Sequence, residues 1–475
     1  MIPPNLEPRE RYSPHLRTAL LFTGSGTAGA YHAGVLRALQ EAGIKIDIVG
    51  GCGMGAATAL FAAVDASAQL SDTSGFWRSP ASARLYRPRL LLKVLAGCLA
   101  VSLLSVAAPL AAVVAGLLVF PVAFLLGMFG ISGGADATRT IVRALSEAFD
   151  PGALPSLLPR IAVLGLVAAV LVVLVAALRA RRRLGKRGER AGFWWLGLDG
   201  FLDATSAVSQ WRAALWRALA GGPLGRQPAD RDLSVRYTDL LAENLGQPGF
   251  RELLVVVHDI DARRDLVFCA LVERLRREFV TRRTGTDARA AEAFDLLGMA
   301  RDQLIDVLAA ALALPVATQA PLLRFGADTH WRGEAHRITN RPESIGRLIE
   351  EAGEAGATQI VVVSGVPAPP GPHGLRGRRA DPRSRFGDYL TSAEGAATRD
   401  AVRAANDASR LVFLIQPAYC PLNALDFAGR HDELSDRPYA TGELLERGYE
   451  DAYRQFIEPV VAAGGEKLDA RKEIT

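Results

Sequence analysis

The chain has 475 residues, of which 49% are hydrophobic and 22% are charged, so it can form one large or two ordinary folded domains and is not a largely disordered chain. Its four cysteines are scattered singly and its seven histidines show no metal-binding spacing, which predicts no metal, no cofactor and no disulfide framework. The formal net charge of +5 is local, because seven basic residues and one acidic residue lie between Arg179 and Arg190. A basic block directly after an apolar segment is typical of a membrane flank. It argues against a nucleic-acid partner, whose binding surface would spread basic residues among aromatic ones.

The beginning of the chain predicts a short leader followed by the start of an α/β domain. Residues 1–17 are polar and contain prolines but no apolar stretch like that of a signal peptide, so we expect the chain to begin in the cytoplasm. Residues 18–87 form the first part of the domain. Short apolar runs at 18–22 and 45–49 predict two strands, and each is followed by a glycine-rich turn and a helix.

Residues 88–178 predict a helical transmembrane insertion. No charged residue lies between Lys93 and Asp136, and residues 161–178 are apolar without interruption. Each run is long enough to cross about 30 Å of hydrocarbon, and neither shows the polar face that a helix of a soluble protein would have.

The number of crossings follows from the position of the insertion within one domain. The first apolar run contains Pro109 and Pro121, so it could form one kinked helix, a crossing with a re-entrant piece, or two crossings. Because the segments on either side belong to the same domain, the total must be even. Basic residues from Arg87 to Lys93, and the block after the second run, favour the cytoplasmic side for both ends. We predict two crossings, joined outside by residues 132–156.

The chain after the insertion predicts a linker and the rest of the α/β domain. Residues 179–230 are predicted to be a basic juxtamembrane linker, in which Trp194 and Trp195 suit a membrane interface. Residues 231–460 form the second part of the domain, with a surface loop rich in proline, glycine and arginine at 366–387.

The second part contains three β-branched runs typical of buried strands, at 253–257, 360–363 and 411–415. Helical patterns lie between them. The fold class is therefore α/β, a three-layer α/β/α domain with a mostly parallel central sheet. Residues 461–475 form a polar tail.

The first glycine-rich turn lies directly between a strand and a helix and contains Gly24, Ser25, Gly26 and Gly29. Successive glycines let backbone N–H groups converge, and the helix N-terminus adds positive potential, so such a turn suits a phosphate or an oxyanion. A dinucleotide site would also need an acid about twenty residues further on; Asp47 is near that distance but lies inside a predicted strand. A tight turn that serves only close packing is the remaining alternative.

The second turn, Gly51-Cys52-Gly53-Met54-Gly55, again lies between a strand and a helix. In the nucleophile elbow of hydrolases, glycines two residues before and two after the serine relieve crowding at a strained turn. Gly51 and Gly55 occupy those two places, and Gly53 stands between them. The sequence therefore predicts an elbow without its nucleophile.

Together these features resemble the patatin-like phospholipases. In that family a glycine-rich oxyanion loop precedes a G-x-S-x-G elbow by some twenty-five residues, as the first turn precedes the second here. Further similar segments follow in the family's order. They are residues 253–268, 309–315, 330–364 and 444–453. The resemblance covers about residues 18–85 and 231–460, and it implies a lipid acyl hydrolase fold whose members use a Ser–Asp dyad.

The same resemblance places the catalytic positions on residues that cannot fill them. The serine position corresponds to Gly53, which has no side chain and cannot form an acyl-enzyme. The aspartate position corresponds to Arg332, a permanent cation that cannot accept a proton. The basic residue of the family's oxyanion loop corresponds to Ala28. The prediction is that no intact catalytic residue is present.

Four residues near these positions are candidate substitutes. Cys52 lies one residue out of register with the elbow, and Ser25 lies within the oxyanion loop itself. Asp328 and Glu334 flank the position of Arg332 and could supply a base, although a base without a nucleophile achieves little.

The sequence therefore predicts an integral membrane protein whose patatin-like domain lies on the cytoplasmic side of the inner membrane. The preferred hypothesis is a catalytically inactive protein that binds membrane lipid or acyl groups, or that scaffolds an unidentified protein partner. The alternative is an active lipid acyl hydrolase with a rearranged site. A nucleotide-binding membrane regulator is a third hypothesis.

Overall fold

The computed structural model describes the chain in segments. They are residues 12–130, 133–149, 157–184, 200–220, 225–281, 291–327, 329–371, 382–408, 410–427, 431–432 and 437–462. The chain divides into two compact units, one formed by residues 1–87 with 203–475 and the other by residues 88–202.

The first unit is built on a nine-stranded sheet in the order β11-β10-β1-β2-β5-β6-β7, with β9 pairing to β5 and β8 pairing to β9. The strands of the described chain are β1 Thr18–Thr23, β2 Ile48–Gly51, β3 Arg87–Pro88, β4 Leu202–Asp203, β5 Glu252–Asp259, β6 Arg264–Ala270, β7 Ala291–Asp295, β8 Leu322–Arg324, β9 Ala335–Thr339, β10 Gln359–Ser364, β11 Leu411–Ile415, β12 His431–Asp432 and β13 Arg437–Pro438. From β11 to β5 all neighbours are parallel, and β5 with β6 is the antiparallel pair along this path.

Helices cover both faces of the sheet. In the described part of the first unit the α-helices are Ala28–Glu41, Met54–Ala63, Ala68–Ser71, Thr205–Ala220, Asp230–Asn244, Glu273–Thr281, Leu304–Leu312, Ser344–Glu354, Pro382–Asp407 and Thr441–Ala452, and a π-helix follows at Tyr453–Ala462. The described α-helices of the second unit are Leu90–Met128, Gly133–Phe149 and Leu157–Leu184. The fold is thus the predicted three-layer α/β/α arrangement with a mostly parallel sheet.

The two faces can be read from adjacent residues of β1. Leu21 belongs to the cluster that packs against Ile345 and Leu348 of the helix Ser344–Glu354. Its neighbour Phe22 points to the opposite face, because successive side chains of a strand alternate, and its ring lies 5.4 Å from that of His32 in the helix Ala28–Glu41. Since the central strands are covered on both faces, they read as continuous apolar runs without alternation, which is why the sequence predicted them.

The second unit contains two helices long and apolar enough to cross a membrane by length and composition. Leu90–Met128 continues through Pro109 and Pro121 as one helix, which agrees with the single helix among the three predicted alternatives. The hydroxyl of Ser102 donates to the carbonyl oxygen of Ala162 at 3.0 Å in the helix Leu157–Leu184. A methyl group at Gly165 would lie 2.3 Å from the Ser102 Oγ, so the glycine leaves room for this hydrogen bond where the helices meet.

The two ends of the insertion lie side by side, because the short strand β3 at its start pairs with the short strand β4 at its end. Part of the predicted linker 179–230 has regular structure in the described chain. Residues 205–220 form a helix of the first unit, and Trp211 of that helix is fully buried with its ring 4.2 Å from that of Phe76. The amphipathic pattern of this segment, rather than its charge, decides its place. Trp194 and Trp195 lie outside the described residues.

The predicted surface loop 366–387 also changes its bounds. Residues 366–371 have no regular structure, residues 372–381 lie outside the described chain, and the helix Pro382–Asp407 has begun by the end of the predicted loop. This helix carries the side chain of Glu394 to the first glycine turn.

Candidate functional site at the glycine turns

The second glycine turn forms a sharp strand–turn–helix bend between β2 and the helix Met54–Ala63. Gly53, at its apex, has φ +60° and ψ −135°, a backbone conformation that residues with side chains rarely adopt. A methyl group on Gly51 would lie 2.3 Å from the backbone of Gly55, and one on Gly55 would lie 2.2 Å from the carbonyl oxygen of Phe22. The crowding explains the flanking glycines, so the local geometry is that of an elbow.

The apex of this elbow presents backbone alone. A methyl group on Gly53 would lie 2.8 Å from the carbonyl oxygen of Gly24 and 3.0 Å from the Nδ2 of Asn340, so the space above the apex is already filled. Any side chain at position 53 would have to displace one of these groups. The turn therefore offers neither a hydroxyl nor the room for one.

The neighbouring thiol is buried below the turn. Cys52 is buried in the sheet core and contacts the Thr23 Oγ1 at 3.4 Å. Burial raises the pKa of the Cys52 thiol to about 12, so the reactive thiolate is scarce at neutral pH. Cys52 thus acts as a small packed residue.

The first glycine turn is covered by a segment from the far end of the chain. The N–H of Thr27 donates to the carbonyl oxygen of Ala424 at 2.8 Å. Gly26 has φ +60°, and a methyl group there would lie 1.7 Å from the same oxygen. Gly29, further along, lies against the ring of Trp77, which a methyl group would approach to 2.4 Å. Glycine at these positions permits close packing of other segments on the turn.

Two backbone N–H groups that could stabilise an oxyanion are already hydrogen-bonded within the protein. The Met54 N–H, directly after the apex, donates to the Gly24 carbonyl oxygen at 2.9 Å. The Ser25 N–H donates to the Glu394 Oε2 at 3.1 Å. An acyl-transfer intermediate would need such donors free and aimed at its oxygen. Here a carbonyl group and a carboxylate occupy them.

Glu394 is the unexpected member of this site. Its side chain extends from the helix Pro382–Asp407, is fully buried, and also accepts a hydrogen bond from the Ser25 hydroxyl. Burial raises the pKa of the Glu394 carboxyl to about 7, and the hydrogen bonds from Ser25 oppose that rise. A carboxyl group therefore lies where the turn was predicted to hold an anionic oxygen.

Asn340 completes the cluster. It follows β9 directly, is buried, and its backbone N–H donates to the Ala313 carbonyl oxygen at 3.1 Å. Its Nδ2 donates to the Ser25 Oγ at 3.4 Å. The site thus brings together Ser25, Glu394 and Asn340 over Gly53. Sequence reasoning named Ser25 and Gly53 but missed the other two.

The predicted acid/base position lies elsewhere in the described contacts. Arg332 is exposed in a turn with φ +43°, and its backbone N–H donates to the Thr329 carbonyl oxygen at 3.1 Å. Glu334 contacts the Nε2 of His336 at 3.2 Å, and Asp259 contacts the Nδ1 of that histidine. Asp328 lies outside the described residues. The assignment of Arg332 stays a prediction, whereas Asn340 lies at the elbow, where its Nδ2 would be 3.0 Å from a methyl group on Gly53.

The remaining polar groups near the turns serve local structure. His32 is fully buried, its Nε2 lies 3.0 Å from the Thr23 carbonyl oxygen, and burial lowers the pKa of its imidazole to about 3. Within the described residues, no group of three or more histidine, cysteine, aspartate or glutamate side chains could hold a metal ion.

Comparison with known proteins assigns the class. The family model of patatin-like phospholipases matches residues 20–339, more than half of the chain, and the chain therefore belongs to that family. The match ends directly before Asn340, and Glu394 lies well beyond it.

Among solved structures, the chain is similar to the crystal structure of VipD from Legionella pneumophila, with 14% sequence identity and a TM-score of 0.30. The alignment covers 92% of this chain and 66% of that one. This similarity is too low to assign a function. No curated protein matches the chain.

Proposed function

We propose that this chain is a membrane-anchored, catalytically silent member of the patatin-like phospholipase family, with its α/β unit on the cytoplasmic side. Its role is binding, either of membrane lipid or acyl groups or of a protein partner that it scaffolds at the membrane face. The family membership supplies the fold, and the local chemistry of the two glycine turns supports the silence.

The proposal is supported mainly by the elbow, which lacks a nucleophilic side chain and has its nearby N–H donors occupied. Gly53 has the backbone of a nucleophile position but no side chain, and the Gly24 carbonyl oxygen lies 2.8 Å from where a Cβ atom would be. The Met54 N–H and the Ser25 N–H donate to groups of the protein itself. Loss of the nucleophile and occupation of the oxyanion donors are separate changes, and both lead to the same conclusion.

Membrane anchoring rests on the second unit. In the helices Leu90–Met128 and Leu157–Leu184, many of the described leucine, valine and phenylalanine side chains are exposed, which water would disfavour and hydrocarbon would accept. Arg179, Arg181 and Arg182 end the second helix, and Arg87 precedes the first, which favours the cytoplasm for both ends.

The test is a hydrolysis assay on the full chain in lipid nanodiscs. We expect phospholipid and short-chain acyl esters to be hydrolysed no faster by this protein than by its Ser25→Ala variant, and a fluorophosphonate probe to label neither. Carbonate extraction of membranes tests the anchor separately, and we expect the protein to remain in the membrane pellet.

One observation favours a second candidate function, an acyl hydrolase with a rearranged dyad. The Ser25 hydroxyl donates to the buried Glu394 carboxylate, a pairing of nucleophile and base like that of a Ser–Asp dyad. Esterase activity that is lost in Ser25→Ala, with fluorophosphonate on Ser25, would establish this function and overturn the silent one. Both residues are buried, so the first proposal fits the structure better.

A further inference from the structure

The turn Leu314–Thr318 of the α/β unit exposes a single apolar side chain in a strained conformation. Val316 is 88% exposed, the highest fraction among the large hydrophobic residues of the described chain. Its φ is +64°, a conformation that is an outlier for a β-branched residue. Glycine would adopt this positive φ without strain. An exposed valine in the same conformation therefore suggests that its side chain has a function.

The turn is rigid. The Ala317 N–H donates to the Pro315 carbonyl oxygen at 2.7 Å, which closes a tight three-residue turn around Val316. The buried Thr318 hydroxyl bonds both the N–H and the carbonyl oxygen of Leu314, at 2.8 and 3.1 Å. The valine is therefore presented at the tip of a fixed structure and is not part of a freely moving loop.

The same segment borders the point where the chain leaves for the apolar insertion. The hydroxyl of Tyr86 donates to the carbonyl oxygen of Leu312 at 2.7 Å, four residues before Val316. From Tyr86 the chain reaches the uncharged helical run at Val94 within about 20 Å, given the reach of four extended and four helical residues. Only a short length of chain thus separates the neighbourhood of the tip from the start of the proposed membrane helices.

Charge near the junction fits a lipid surface. Arg84 and Arg87 are exposed on either side of Tyr86, and Lys93 follows within the first turn of the helix. Basic side chains and an exposed apolar side chain are together the combination that a membrane interface with anionic lipids accepts, because the cations contact phosphates while the apolar group enters the acyl boundary.

We propose that Val316 is a membrane-contacting tip, whose side chain enters the lipid surface that the α/β unit meets. The occupant is the lipid bilayer itself. The inference rests on the membrane anchoring proposed above and adds a second, independent point of contact. Because the Leu312–Thr318 segment also holds Asn340 through the Ala313 carbonyl oxygen, this contact would place the glycine turns close to the lipid surface.

The experiment places an environment-sensitive fluorophore on Val316→Cys in the full chain, after Cys98 and Cys420 are replaced by serine. Matched controls carry the label on Met299→Cys or Tyr389→Cys, at exposed apolar residues of the same unit. The proteins are reconstituted in vesicles of phosphatidylethanolamine and phosphatidylglycerol, with or without a lipid that carries a nitroxide just below its headgroup.

We expect the label at 316 to shift its emission to the blue and to lose intensity to the nitroxide lipid, while the labels at 299 and 389 do neither. Emission from position 316 that matches the controls overturns the inference. Carbonate extraction of the same vesicles scores the anchor, so failure of the tip and failure of the anchor are distinguishable.

A measurement without substitution covers the case in which Val316→Cys does not fold. Hydrogen exchange at the Val316 amide of the unmodified chain should be slower in these vesicles than in amphipol, which lacks a bilayer. Equal exchange in the two environments counts against the tip.

Discussion

At the scale of single residues, Gly53 is more than a missing serine. Its φ and ψ preserve the strained turn that a nucleophile would need, but the Gly24 carbonyl oxygen and the Asn340 amide fill the space that its side chain would enter. The loss of the nucleophile and the closing of the site around it are separate features of the structure. Restoring one should not restore the other.

The first prediction is that Gly53→Ser does not create a hydrolase. The new side chain would lie against the Gly24 oxygen and Asn340 Nδ2, and it would carry the cost of a positive φ, so unfolding free energy should fall by about 1–3 kcal/mol. Ester hydrolysis in nanodiscs should stay at the level of the unmodified protein. Fluorophosphonate labelling of the introduced hydroxyl in the Gly53→Ser variant would show instead that the missing hydroxyl is the sole defect.

The second prediction concerns the buried carboxyl group. The pKa of Glu394 is about 7 in the folded chain against about 4.5 ordinarily, because burial disfavours its charged form. Below pH 4.5 both folded and unfolded states are protonated, and the contribution to stability is fully present. As the pH rises through about 7 it is lost, since the unfolded state releases its proton first, and the loss amounts to about 3 kcal/mol.

Glu394→Gln mimics the protonated carboxyl and should remove this loss. We expect the variant to exceed the unmodified protein in unfolding free energy at pH 8, and to match it near pH 4.5, in denaturation curves measured in the same detergent. Glu278→Gln, at an exposed position of the helix Glu273–Thr281, is the control and should show no such pH dependence. A constant difference at every pH would mean that the pKa of Glu394 is the same in the folded and the unfolded chain.

At the scale of elements, glycine acts through close approach as well as through backbone freedom. Gly26 and Gly43 have φ of +60° and +66°, but their surroundings differ. A methyl group on Gly26 would lie 1.7 Å from the Ala424 carbonyl oxygen, whereas one on Gly43 would meet nothing within 4 Å. Comparing substitutions at these two glycines therefore separates the free-energy cost of a positive φ from the cost of a steric clash.

The third prediction follows from that pair. Gly43→Ala should lower the unfolding free energy by about 1–2 kcal/mol, the cost of a left-handed alanine. Gly26→Ala should lower it by about 2–4 kcal/mol, because the covering segment around Ala424 must also move. Thermal denaturation of both variants measures the difference, and equal losses would mean that residues 421–427 do not pack on the turn in solution.

Some of these strands, turns and helices could be predicted from the sequence, and others could not. The buried parallel strands, both glycine turns and the helix ending at Glu41 follow from local patterns, because buried runs and strand-to-helix turns are written in adjacent residues. Asn340 and Glu394 do not follow, because their contacts with Ser25 span 315 and 369 residues of chain. One local signal was present for Glu394, which lies among small residues in a helix and not on a charged face.

At the scale of the whole molecule, a family domain is interrupted by an apolar unit without loss of its core. The ends of the insertion pair as β3 and β4, and the helix Thr205–Ala220 returns at once to the core through Trp211. The segment 179–230 was predicted to be a linker because of its charge, but part of it forms the packed helix Thr205–Ala220. The free energy gained by burying Trp211 exceeds the effect of the basic residues around it.

The last prediction tests the path of that insertion. Because both ends meet at one place, an insertion that crosses a bilayer must do so an even number of times. The basic residues at both ends favour the cytoplasmic side for them, as proposed above. Ser146, exposed in the helix Gly133–Phe149 between the two apolar helices, should then lie outside, whereas Tyr389 should lie inside. With Cys98 and Cys420 replaced by serine, a membrane-impermeant maleimide should label Ser146→Cys in intact cells and Tyr389→Cys only after permeabilisation. Labelling of both positions only after permeabilisation would mean that the apolar helices lie on the membrane without crossing it, and labelling of both in intact cells would place the α/β unit on the outer side.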